Sequence, residues 1–83
     1  MGIKEKLMAE IPDEFKGVIE YMDMSEMAEH EGDMCVAGVL EDIAEEEYTH
    51  GCLLLKLMEH MHVEVPHEYH EMKLKAYHKL RED

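Results

Sequence analysis

The chain has 83 residues, enough for one domain but only a modest core when folded alone, so an oligomer is the first expectation. Asp plus Glu number 21 against 8 Lys plus Arg, a formal charge of −13 that repels nucleic acid and attracts cations. No apolar run approaches the ~20 residues of a membrane span, and Met1 to Lys6 lead into charge rather than a long apolar stretch. A soluble, cytoplasmic protein with neither nucleic-acid nor membrane partner is expected.

Pro12, Gly32 and Pro66 divide the chain into three helical stretches, and no alternating strand pattern intervenes. The first stretch runs from Ile3 to about Glu31. Ile3, Leu7, Ile11, Val18, Ser25 and Ala28 fall along one stripe that also carries Glu14 and Tyr21. Proline lacks an amide hydrogen and its ring crowds the carbonyl four residues back. Pro12 is therefore expected to start a new helix or kink this one, and the main first helix is placed at residues 12–31.

His30-Glu31-Gly32-Asp33 reads as a tight reversal, with Gly32 suited to a left-handed C-terminal cap and Asp33 to capping the next helix. A connection this short makes the two helices antiparallel neighbours. The second helix is expected from Met34 to about His62. Val36, Leu40, Ile43, Glu47, His50, Leu54, Leu57 and Met61 alternate spacings of four and three, the seam of a left-handed bundle. After Pro66 a short amphipathic helix spans residues 67–80, with Tyr69, Met72, Ala76 and Leu80 on one side. The expected architecture is all-α: a single domain over residues 1–83, made of an antiparallel hairpin at 12–62 and a short C-terminal helix.

Two members of the seam are not apolar. Glu47 and His50 lie three apart on one helix face, where a carboxylate and an imidazole can reach the same ion. Flanked by Leu40 and Ile43 on one side and Leu54 and Leu57 on the other, they are expected to point into the bundle. An unpaired buried carboxylate costs several kcal/mol, so a partner is needed. Counted from the turn at Gly32, Glu47 and His50 lie 15 and 18 residues beyond it and Glu14 lies 18 before it, at matching height. Glu20 falls off the stripe, level with Ala44, which makes Glu14 the better candidate. One hairpin thus offers two carboxylates and one imidazole. Two hairpins about a two-fold axis offer four carboxylates and two imidazoles, and two divalent ions cancel that charge.

The run from Glu31-Gly32 through Val36-Ala37-Gly38-Val39-Leu40-Glu41-Asp42-Ile43-Ala44-Glu45-Glu46-Glu47-Tyr48-Thr49-His50 resembles the second helix of the rubrerythrin branch of the ferritin-like superfamily. The likeness extends back without a gap to Glu14 and Tyr21 and covers about residues 12–62. It implies a non-haem di-iron centre reacting with oxygen or peroxide, as a ferroxidase or a peroxide-reducing protein. Glu47 would be the bridging ligand, Glu14 and His50 terminal ligands, and Tyr21 a tyrosine near the metals. Two iron ions per dimer site are implied, with manganese or zinc as alternatives. The second half of a full-length bundle and a rubredoxin domain are absent from this stretch. The chain is therefore more similar to half-length, two-helix ferritins completed by homodimerisation into a four-helix bundle. Some of these reside in encapsulin shells, which stands as the alternative to a cytoplasmic location.

The competing reading is a non-catalytic helical oligomerisation module in which the same residues form a buried polar network or hold a structural metal. Tyr21 is equally a hydrogen-bond donor to a ligand carboxylate or a core tyrosine; Tyr48, off the seam, is expected to pack. Met22, Met24, Met27, Met58 and Met61 are read as adaptable core side chains rather than a copper site. His60, His62, His67 and His70 are read as solvated histidines near the second turn, and Glu41, Asp42, Glu45 and Glu46 as an acidic face. Cys35 and Cys52 stand about 25 Å apart if one helix carries both. They are expected to be buried, unbridged thiols.

Overall fold

The computed structural model describes residues 2–82. Three helices occupy them: α1 (Ile3–His30), α2 (Met34–His60) and α3 (His67–Leu80). There is no strand among the described residues. The hairpin turn and the C-terminal helix lie where the sequence places them.

The start of α1 differs from expectation. Pro12 sits inside an unbroken helix that begins at Ile3, where the Gly2 amide donates to Glu5 Oε1 at 2.8 Å. A proline within a helix costs about 3 kcal/mol, but the turns before it are held by tertiary packing. Ile11 is fully buried, and Leu7 and Met8 pack against the same core as Val63 and Tyr69. Burial of a large aliphatic side chain stabilises by roughly 1.5–3 kcal/mol, so these contacts outweigh the break.

Both helix-ending turns close in the same way. After α1 the Asp33 amide donates to the Ala28 carbonyl and the Gly32 amide to Glu29, each at 2.9 Å, with Gly32 left-handed at φ 83°. Asp33 Oδ1 then accepts from the Val36 amide at 3.1 Å and caps α2. After α2 the Val63 amide donates to Met58 and the His62 amide to Glu59, and here the left-handed position is occupied by His62 at φ 56°. Ser25 ties the hairpin beside its turn, its hydroxyl donating to the Ala37 carbonyl at 2.8 Å.

The core is formed by Ile11, Phe15, Val18, Met22, Ala44, Met58, Ala76 and Leu80. The inner line of α2 is Ala37, Ala44, Gly51 and Met58, not the expected seam. Small residues at three of these positions let the helices approach closely, and the bulky seam is displaced sideways. Val36 and Leu57 are exposed and Leu40, Ile43 and Leu54 half-buried. Helix α3 covers the opposite flank of the hairpin. Met72 lies beside Phe15 and Ile19, Tyr77 packs on Tyr48 at 6.2 Å between ring centres, and Lys79 bridges to Asp23 at 2.9 Å and Glu26 at 3.1 Å.

The methionine expectation holds for the buried Met22 and Met58 but not for Met24 and Met27, which are exposed on α1. The cysteine expectation is likewise corrected. Both thiols are free, yet Cys35, in the first turn of α2, is exposed and Cys52 is only half-buried. Tyr48 packs as expected, and His60, His62, His67 and His70 are all exposed.

The left-handed backbone at His62 costs a side-chain-bearing residue roughly 1–2 kcal/mol that glycine avoids. His62→Gly is expected to stabilise the protein by about 1 kcal/mol, raising the thermal midpoint by ~4–8 °C for a domain of this size. A midpoint that stayed level or fell would show that the imidazole contributes a compensating interaction.

Candidate metal centre

Glu14 projects from α1 one turn after Ile11 and one turn before Val18, both fully buried, and its own side chain is only 19% exposed. Across the hairpin, His50 Nδ1 stands 3.3 Å from Glu14 Oε2. The two are close enough for electrostatic attraction but not aligned as a hydrogen bond. Glu14 Oε2 is buried from water and has no hydrogen-bond partner. The equal counts of Glu14 and His50 from the Gly32 turn therefore translate into contact, while Glu20 is exposed.

Glu47, one turn before His50, is half-buried, with its carboxylate lying over Gly17 of α1. Burial first, and then the negative charge of Glu14, push its pKa above the ordinary 4.5; the charge of His50 opposes this and that of Glu46 adds to it. Glu47 thus feels the charges of both Glu14 and His50, and two carboxylates converge in a chain that carries an excess of acids.

Within one chain the set is incomplete. No three His, Cys, Asp or Glu side chains among the described residues close around a common point. The His50 side chain is 57% exposed, because the seam faces sideways out of the hairpin rather than into it. Tyr21 packs beside the core and makes no hydrogen bond to Glu14, Glu47 or His50 among the described residues. A cavity of about 690 Å³ lies elsewhere: it is lined by Cys52, Leu55, Met58, His67 and His70 and includes none of the three.

Three residues that the sequence reading passed over shape this site. An ideal Cβ at Gly17 would stand 2.6 Å from Glu47 Oε2, and one at Gly51 would stand 2.5 Å from Phe15 Cε1. Phe15 follows Glu14 and Gly51 follows His50, so both close approaches fall at the height of the candidate ligands. The signal available in the sequence was the cost itself. Glycine inside a helix is unfavourable by roughly 0.5–1 kcal/mol relative to alanine, and two of them flank this constellation.

Carboxylate oxygens and an imidazole nitrogen are suitable donors for divalent iron, manganese or zinc. A buried carboxylate oxygen without a donor is satisfied by such a cation. The residues present therefore fit a metal, as part of its ligand set.

The family model described as Rubrerythrin matches residues 5–83 of the chain. No curated protein and no solved structure matches it.

The raised pKa of Glu47 fixes the sign of one pH effect in the metal-free protein. A carboxyl that holds its proton more tightly when folded loses stability as pH rises from its unfolded value through its folded value. Urea denaturation of apo-protein at a series of pH values above 4.5 is expected to show stability falling, with Glu47→Gln removing part of the slope and raising stability near neutrality. Parallel wild-type and variant curves would mean that Glu47 is not perturbed.

Proposed function

Because the chain belongs to the rubrerythrin family, we propose that two copies pair through the α2 seam to build a carboxylate-bridged di-iron centre that oxidises ferrous ion with oxygen or peroxide. The observation that carries this reading is the buried, donorless oxygen of Glu14 beside His50, set on the flank of the hairpin away from α3. The same flank carries Val36, Leu40, Ile43, Leu54 and Leu57, an apolar row that one chain leaves half-covered. A second copy placed there by a two-fold axis brings a second Glu14, Glu47 and His50 to the first.

In this arrangement four carboxylates and two imidazoles face two divalent ions, and the charge that each hairpin concentrates is neutralised. The bound iron pair supplies the redox chemistry. Glu47 lies over Gly17 and feels the charges of both Glu14 and His50; it would take the bridging role, with Glu14 and His50 as terminal ligands. Tyr21, half-buried on the stripe of Glu14 but not bonded to it, would be a tyrosine near the metals. The exposed Glu41, Asp42 and Glu46 raise the local concentration of ferrous ion. No helix among the described residues is long and apolar enough to cross a membrane.

The close approach of His50 to Glu14 without a third ligand gives some support to the other reading, a non-catalytic module in which this pair is a polar contact that fixes register. Substitution separates the two. His50→Ala and Glu14→Ala are expected to lower iron content and ferrous oxidation by ~10-fold or more, since even neighbours of ligands typically contribute about 10–100-fold. Glu20→Ala should match wild type. Iron content unchanged in His50→Ala, with an apo-protein destabilised by about 1–3 kcal/mol through loss of a buried partner, would instead establish the register module.

A further inference from the structure

Gly17 is buried in the middle of α1, one turn beyond Glu14, and nothing in the turn or backbone there requires glycine. Its neighbour across the hairpin is the side chain of Glu47. An ideal Cβ at position 17 would stand 2.6 Å from Glu47 Oε2, 3.2 Å from Cδ and 3.5 Å from Cγ. The first distance is shorter than any ordinary carbon–oxygen contact, and the whole end of the side chain lies along the missing methyl. Gly38 provides the contrast. It too is a helix-interior glycine, in α2, but a Cβ there meets nothing within 4 Å.

We propose that Gly17 is a positioning residue for Glu47: the absence of a side chain lets the carboxylate lie against α1, next to Glu14, where it is held for metal binding. The inference rests on the metal reading above and deepens it. A long glutamate side chain has three rotatable bonds and, on an exposed face, samples many rotamers. Here the backbone of Gly17 forms one wall of its resting place, and Phe15, admitted by Gly51, fills the interior just behind Glu14. Alanine at position 17 evicts the carboxylate from this place while improving the intrinsic helix preference of α1.

The test compares Gly17→Ala and Gly38→Ala by anaerobic ferrous titration and by thermal melting of apo-protein, the melts being repeated in a Glu47→Ala background. Gly38→Ala should bind ferrous ion like wild type and melt higher. Gly17→Ala should bind ~10–100-fold more weakly, the range seen when the supports of a ligand are lost. Its gain in melting midpoint should be larger where Glu47 is already alanine, since there no side chain has to leave its place. If Gly17→Ala does not fold, the inference requires that Gly17→Ala/Glu47→Ala does; failure of both to fold overturns it. So does an effect of Gly17→Ala on melting that is the same with and without Glu47. Wild-type affinity in Gly17→Ala overturns this inference alone, whereas a wild-type protein that binds no ferrous ion overturns the metal reading and this inference with it.

Discussion

One carboxylate oxygen of Glu14 is shut off from water and makes no hydrogen bond among the described residues, with only the unaligned Nδ1 of His50 near it at 3.3 Å. Burial and then the charge of the neighbouring Glu14 disfavour ionisation of Glu47. His50 relieves this only in part, from a side chain that is itself largely in water. Burying two acids in a chain of charge −13 makes physical sense when a cation completes the arrangement.

The division of the hairpin into two flanks follows from how α2 meets α1. Ala37, Ala44 and Gly51 at the contact bring the helices close and turn the bulkier residues to either side. One flank, with Phe15 and Tyr48, is closed by α3 through Met72, Ala76, Tyr77 and Leu80. The other, with Glu14, Glu47, His50 and the half-covered apolar row, has no such cover among the described residues. Site and uncovered surface therefore coincide on one face of the hairpin.

Much of this was legible in the sequence because it rests on local rules. Gly32 and Asp33 prescribe the first turn and its cap, and Pro66 opens α3. Equal counts from the turn then place Glu14 against His50. What was not legible depends on tertiary packing. Pro12 looks like a boundary, and only the burial of Ile11, with Leu7 and Met8 against the core, keeps α1 continuous through it. The four-three pattern on α2 marks an apolar row, but the inner line of the hairpin is taken by the small residues beside it, Ala37, Ala44 and Gly51. Gly17 and Gly51 stand in plain view in the sequence, but their meaning appears only when Glu47 and Phe15 are seen to occupy the space a methyl group would need.

If the ligand set is completed between chains, native mass spectrometry of the ferrous-loaded protein, prepared anaerobically, will find iron travelling with the dimer, about two ions to each pair of chains, and none on protein diluted to monomer. A monomer that retained its iron, or a dimer that acquired none, would contradict it.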